Sequence, residues 1–343
     1  MTKPIHIDGA FGEGGGQILR SSLALSLVTG RPFRIEHIRA GRSRPGLRKQ
    51  HLAAVRAAAA VGRARVTGDA LGSCELEFHP EGVFAGHYTF DVGSAGSCGL
   101  VAQTILPPLI TADRPSRLDL IGGTHNPFAP PFHFLERVFL PLIGRMGPRL
   151  QAGLQAWGFY PVGGGRMSID ISPVAQLSPL NLTERGEPLD GRLRAVVCGL
   201  PRHIAQRECQ AFDAAATRRF DCSVEELSAS AGPGNVLLAE IESTHVTELF
   251  SAFGRRGVPA EKVGRQAADQ VNAYLLSAAP VGPYLADQLL IPSAMAGRGI
   301  YRTGPPTRHT RTNLAVARQF FETPICLRRI GTAVWEIEIG TTG

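Results

Sequence analysis

The sequence predicts an α/β protein of α+β layers: three β-α-β-α-β-β repeats, with a smaller α/β domain inserted in the third. Strand-like and helix-like patterns follow one order through residues 4–78 and the same order again through residues 87–171. That order returns near the C-terminus without its first strand, and a segment of different pattern stands before it. A supersecondary unit that recurs can bury its apolar face against its neighbours, and alternating strands and helices build layers in which helices cover sheets.

In the first repeat an extended piece at 4–8 leads through a glycine loop into a helix. Leu19, Leu23 and Leu27 recur there at four-residue spacing, and Gly30 ends it. A strand at 33–38, a helix at 45–61 and strands at 64–67 and 74–78 complete the unit. The second repeat reads as a strand at 87–92, the loop GSAGSCG, a helix at 100–110, a strand at 117–121, a helix at 132–146 and strands at 150–157 and 167–171. Phe134, Val138 and Leu142 line one face of its second helix. The third repeat has helices at 284–295 and 310–321 and strands at 299–303, 325–330 and 333–339. Its first strand is expected at 176–182. The segment between has its own strands (192–198, 236–241) and a helix marked by Val263, Ala267 and Val271. The expected division is therefore 1–182 plus 279–343 for the repeats and 183–278 for the insertion.

With 43% apolar and 19% charged residues, the composition is that of a globular protein. Gly (40) and Pro (25) are abundant without low-complexity runs, which points to shaped loops. The first residues, MTKPIHIDG, lack the apolar stretch of a signal peptide, and no run reaches the roughly 18 apolar residues that span a bilayer. The six cysteines are scattered with no C-x-x-C pair, which fits neither a zinc site nor a disulfide framework. They read as reduced, packed thiols of a cytoplasmic protein. The net charge of +7 favours polyanionic partners, and it is concentrated: Arg39, Arg42, Arg44, Arg48 and Lys49 lie together with no acidic residue between them.

Several segments have the composition of sites. Gly12-Glu13-Gly14-Gly15-Gly16-Gln17 precedes a helix, where glycines let backbone N–H groups approach an anion. No Lys-Ser/Thr follows, so it is not a Walker loop. Glu13 would repel a pyrophosphate unless a cation stood between them, which leaves two readings: a divalent metal site, or a tight turn with a solvated carboxylate. His309 lies between Arg308 and Arg311 at a helix entrance, a setting that favours a neutral, nucleophilic imidazole beside a phosphate. In Gly282-Pro283-Tyr284-Leu285-Ala286-Asp287-Gln288, a ring and a carboxylate three residues apart can face one pocket; Tyr284 would stack on a base or pack on the core. The runs GGTHNPFAPP (122–131) and GFYPVGGG (158–165) read as shaped loops near a site.

Taken together, IDGAFGEGGGQILRSSLALS, IRAGRSRPGLRKQHLAAV, GSAGSCGLVAQT, GGTHNPFAPP, GFYPVGGG, GPGN, PYLADQL and HTRTN resemble the RNA 3′-terminal phosphate cyclase family over nearly the whole chain. The resemblance implies three repeats with an inserted domain. It also implies ATP-dependent conversion of an RNA 3′-phosphate end to a 2′,3′-cyclic phosphate through an adenylated His309. By position, Gln103, Pro131, Pro283, Tyr284, Leu285, Ala286, Asp287 and Gln288 correspond to the ATP pocket. Glu13 corresponds to a ligand of a divalent metal (Mg or Mn). Arg20, Arg39, Arg42, Gln50 and His51 correspond to the surface for RNA and phosphate. Arg308 directly before the histidine is a departure, since relatives can carry other residues there. Two alternatives stand beside this: a catalytically inactive, cyclase-like RNA-binding protein of ribosome assembly, and a small-molecule transferase of related repeat fold.

Overall fold

A computed structural model describes residues 3–228 and 230–340. The first repeat comprises β1 (Ile5–Asp8), α1 (Gly16–Thr29), β2 (Phe33–Glu36), α2 (Lys49–Gly62), β3 (Arg65–Thr67) and β4 (Leu76–His79). The second comprises β5 (His87–Asp91), α3 (Cys98–Leu109), β6 (Ser116–Gly122), α4 (Phe132–Phe134), a π-helical turn (Leu135–Phe139), α5 (Leu140–Gly144), β7 (Arg149–Ala156) and β8 (Gly165–Ser172). β9 (Asn181–Leu182) opens the third. The insertion then contributes β10 (Pro188–Cys198), α6 (Arg202–Ala215), β11 (Asp221–Leu227), β12 (Gly234–Ser243), β13 (Thr247–Phe253) and α7 (Ala260–Leu276). The third repeat resumes with α8 (Leu285–Gln288), α9 (Leu290–Met295), β14 (Gly299–Thr303), α10 (Arg308–Phe320), β15 (Ile325–Arg329) and β16 (Trp335–Ile339).

The repeats are equivalent in topology. Their sheets run β1-β2-β4-β3, β5-β6-β8-β7 and β9-β14-β16-β15, so in each one the first two strands are parallel and the others antiparallel. The insertion runs β11-β10-β12-β13, a different order. Helices of different repeats meet one another: besides α2 of its own repeat, α1 packs on α3 of the second and on α9 and α10 of the third. Each sheet turns one face to these helices, which is why β6 alternates buried and part-buried side chains along its whole length.

Three elements depart from the expected pattern, each for a backbone reason. The helix expected at 284–295 breaks at Leu289, because Pro292 has no N–H for the carbonyl of Gln288. The helix expected at 132–146 passes through the π-helical turn, because Pro141 cannot donate to Arg137 and the Leu140 N–H reaches back to the Leu135 carbonyl. The strand expected at 176–182 pairs only at Asn181 and Leu182, just beyond Pro179. The cysteines require a correction too. Cys209 on α6 and Cys222 on β11 form a disulfide, while Cys74, Cys98, Cys198 and Cys326 are free thiols. The pairing comes from α6 packing on β11, a contact that Cys spacing does not encode.

The insertion is not a free appendage, because its sheet is buried on both faces. Leu193, Ala195 and Val197 of β10, with Leu237, Ala239 and Ile241 of β12, pack in a core shared with α6 and α7. The alternate positions, Val196, Cys198, Val236 and Leu238, belong to the core of the three repeats. Polar links tie the same face down: Arg137 pairs with Glu240 at 3.1 Å, and His133 Nε2 lies 2.9 Å from an Arg194 Nη1 that donates to it. Leu238→Ala should therefore cost about 2–4 kcal/mol of stability. In urea titrations, the far-UV dichroism and tryptophan fluorescence midpoints should move down together. A dichroism shift with unchanged fluorescence would mean that the two layers unfold independently.

Candidate active site

The site forms where the first and third repeats meet. The N-terminus of α1 carries the glycine loop, and the N-terminus of α10 carries His309. They are tied by the Glu13 backbone N–H, which donates to Thr312 Oγ1 at 3.0 Å across 299 residues of sequence. Gly12 has φ +63°, and a Cβ there would strike the Thr312 side chain, so the close approach of these two elements requires glycine. Thr307 caps α10 by accepting from the Thr310 N–H at 3.1 Å. His309 follows in the first turn with its ring accessible to solvent, and neither of its nitrogens has a partner among the described residues.

Charge is arranged tightly around it. Glu13 pairs with Arg42 through Oε1, while its Oε2 is buried without a partner among the described residues. Arg20 donates to Gln17 Oε1 at 3.3 Å, and Gln17 in turn donates to Asp287 Oδ2 at 3.2 Å. Desolvation lowers the Arg20 guanidinium to about 10 against the pull of Glu13 and Asp287, so it remains charged. Desolvation first, then Arg20, Arg39 and Arg48, hold His51 at about 3. Its Nδ1 accepts from the Arg48 N–H at 3.1 Å, so Nε2 carries the proton and lies against Gly16. His309 is also shifted towards the neutral form, by desolvation and by Arg20 and Arg42, against Glu13.

Beside this lies a cleft lined by Gln17, Gln103, Phe139, Asp287, Gln288 and Asn313, with Arg20 at its edge. Asp287 is 9% exposed, and burial raises its carboxyl to about 7, opposed by its own backbone N–H and by Arg20. Asn313 donates to the Asp287 carbonyl at 2.6 Å, and the Tyr301 hydroxyl donates to the Ala286 carbonyl at 2.8 Å, so α8 is held from both sides. Gln103 Nε2 donates to Gln288 Oε1, and Gln288 Nε2 donates to the Tyr284 carbonyl at 2.8 Å.

The residues picked out from sequence fall into groups. Glu13, Arg20, Arg42, His51 and His309 converge, and Gln103, Asp287 and Gln288 line the adjoining cleft. Tyr284 stands at the head of α8 as a residue 54% exposed rather than buried in the core, and Pro283 beside it is exposed. Leu285, Ala286 and Pro131 are buried and stand outside the cleft lining. Arg39 turns back on its own loop, donating to the carbonyls of Arg44 (2.7 Å) and Gly46 (2.9 Å). Gln50 accepts from the Ser97 N–H at 3.1 Å and so joins α2 to the glycine loop of the second repeat. Gln17, Thr312 and Asn313 were not singled out. Gln17 closes the glycine loop, and Thr312 and Asn313 follow His309 by three and four residues, the spacing that shares a helix face.

Chemically, the arrangement offers an imidazole shifted towards its neutral form at a helix start, guanidinium groups beside it, and a cleft lined by hydrogen-bonding amides. Residues 11–327 match the family described as RNA 3′-terminal phosphate cyclase, and the chain belongs to that family. Among solved structures it is similar to the enolpyruvyl transferase NikO from Streptomyces tendae, at 11% identity and a TM-score of 0.39, over 98% of this chain and 48% of that one. The chain thus spans about half the length of that protein. Among the described residues no helix is long and apolar enough to cross a membrane.

The Asp287 carboxyl has a consequence for pH. Between its ordinary value of 3.8 and about 7, the folded protein holds a proton there that the unfolded chain has released. The folded state binds more protons in that window, so this group makes stability fall as pH rises through it. Asp287→Asn should remove that contribution, so that the melting temperature of the variant gains on the wild type as pH is raised from 4 to 7. A difference between the two that does not vary with pH would show that the carboxyl is not raised.

Proposed function

We propose that this protein converts an RNA 3′-phosphate end to a 2′,3′-cyclic phosphate at the expense of ATP, with His309 as the nucleophile. The observation that carries it is the position of His309: a neutral imidazole without a partner among the described residues, set at the start of α10 among Glu13, Arg20 and Arg42.

In the first step a ring nitrogen of His309 attacks the α-phosphorus of ATP, the bond to the β-phosphate breaks, and pyrophosphate leaves. An oxygen of the RNA 3′-phosphate then attacks that phosphorus. The nitrogen–phosphorus bond breaks, which returns the imidazole and leaves the RNA end joined to AMP. Finally the neighbouring 2′-hydroxyl attacks the 3′-phosphorus, AMP departs, and the hydroxyl proton passes to solvent. Activation is needed because a phosphate monoester would otherwise have to expel hydroxide, and the last attack is fast because both groups sit on one ribose. Arg20 and the Nε2–H of His51 supply fixed positive charge and a donor against phosphate oxygens, with little reorganisation. The adenine would enter the cleft beside Gln103 and Gln288, with Tyr284 offering its exposed ring.

A divalent cation is consistent with the residues present. Among the described residues no cluster of three His, Cys, Asp or Glu side chains could cage one, but Glu13 Oε2 is a buried oxygen without a partner there. One carboxylate oxygen would suit Mg or Mn, which usually keeps several waters and takes other ligands from substrate phosphates. Such an ion would supply neutralisation of triphosphate charge.

Incubation with ATP labelled at the α-phosphate is the decisive experiment. The wild-type protein should take up label in an adduct stable in base and labile in acid. His309→Ala should take none and should not cyclise a 3′-phosphate RNA, yet should still speed cyclisation of an RNA supplied already adenylated. Label retained by His309→Ala would sink the nucleophile assignment, and a wild type that takes none would favour a binding protein without catalysis.

RNA affinity should fall with salt. If about four phosphates are neutralised, the log–log slope is about −3 for a single strand. Arg44 is exposed and carries no side-chain pairing among the described residues, so Arg44→Ala should flatten the slope by about 0.7 for every sequence alike. A slope near zero would remove the phosphate track.

A further inference from the structure

Two large aromatic side chains are left in solvent on loops that the chemistry above does not use: Phe128 is 82% exposed and Tyr160 is 61% exposed. Exposure of single apolar residues is ordinary, but these two stand on loops that are pinned to each other. The backbone N–H groups of Thr124 and His125 both donate to the Gly158 carbonyl, at 2.9 and 3.0 Å, and the Gly158 N–H donates back to Thr124 Oγ1 at 2.9 Å. Underneath, the His125 ring stacks on Trp157 with centroids 4.0 Å apart, and its Nε2 lies 2.9 Å from His133 Nδ1. The Gly163 N–H closes the second loop by donating to the Phe159 carbonyl at 2.7 Å. The rings therefore project from a rigid base.

The base is continuous with the basic segment. Asn126 Nδ2 donates to the Ala95 carbonyl at 2.7 Å, and a Cβ on Gly163 would come within 2.8 Å of Ala95 Cα, so both loops rest on the turn at 94–97. That turn is held by Gln50 through the Ser97 N–H, and Lys49 reaches the Gly93 carbonyl at 3.4 Å. Gln50 adjoins His51, which lies against Gly16 of the glycine loop. A chain of contacts thus links the helix that carries the exposed Lys49 to the two loops that carry the exposed rings.

From this we infer that Phe128 and Tyr160 form a stacking shelf for unpaired bases of the RNA strand whose 3′ end enters the site. A single strand fits because it presents what the surface offers partners for: a phosphate chain for the arginines and lysine, and bases whose flat faces stack on aromatic rings regardless of sequence. The assignment rests on the cyclase function proposed above and adds the element that would select a single-stranded end.

The test uses the full-length protein with Phe128→Ala/Tyr160→Ala, and Phe128→Tyr/Tyr160→Phe as the conservative variant. The probes are 3′-phosphate oligonucleotides, either intact or abasic at the nucleotides nearest the end. The alanine variant should bind intact RNA about tenfold or more weakly. The abasic RNA should bind wild type and variant alike, and the conservative variant should behave as wild type. Labelling by ATP, which uses no RNA, should keep its rate. Unchanged affinity of the alanine variant for intact RNA would overturn the shelf, as would an equal loss for intact and abasic RNA, which would mark a backbone contact or a surface for another partner. A wild-type protein that is not labelled and does not bind RNA would fail the cyclase assignment itself.

Discussion

One cation, Arg20, sets the electrostatics of the candidate site. Arg20 projects from the second turn of α1 into a space where water cannot fully solvate it, and it stays charged because Gln17, Glu13 and Asp287 surround it. The same charge acts outward: it helps hold His51 and His309 neutral and pulls against the burial that protonates Asp287. Coulomb interactions of this kind are strong because the surroundings are poor in solvent. Moving Arg20 would therefore disturb an imidazole on α10, another on α2 and a carboxyl on α8, one element from each side of the site.

The inserted sheet illustrates a second constraint. A strand whose odd positions serve one core and whose even positions serve another has no solvated face, and β10 and β12 are both of this kind. Where such a sheet meets the repeats, leaving polar groups unpaired is costly. The bonds from Thr124 through His125 and His133 to Arg194 satisfy them in sequence. The direction of that chain is set at Arg194, which only donates, so both imidazoles must be neutral and each passes one proton donor onward. Burial of His125 and His133 favours the same neutral forms.

The repeated architecture was legible because local patterns carry it. Leu19, Leu23 and Leu27 mark a helix face, and the whole order of elements occurs twice in full. The places where the pattern misled are those where one proline decides: Pro292 and Pro141 break or widen helices that side-chain periodicity alone would continue. Site residues were legible in so far as their neighbours in sequence were unusual, as with Glu13 among glycines or His309 between arginines. Thr312 was not, because its role is to meet a backbone N–H that is remote in sequence. Nor was the Cys209–Cys222 bond, which arises from the packing of a helix on an edge strand. Gln50 and Arg39 lie in a strongly basic stretch that looks uniform, yet both bind the backbone and serve to shape the surface on which the other cations stand.

The bond from the Glu13 backbone to Thr312 also orders events in time. A polypeptide emerges from the ribosome N-terminus first, so the glycine loop exists long before α10 has been made. Repeats one and two, each contiguous in sequence, can fold while synthesis continues. The third cannot, since β9 must wait for β14 until the whole insertion has been translated. The glycine loop thus remains without His309 until the whole insertion and the start of α10 have been made. A nascent chain, or one terminated before α10, can thus have its first two repeats formed and still lack the convergence of Glu13, Arg20 and His309.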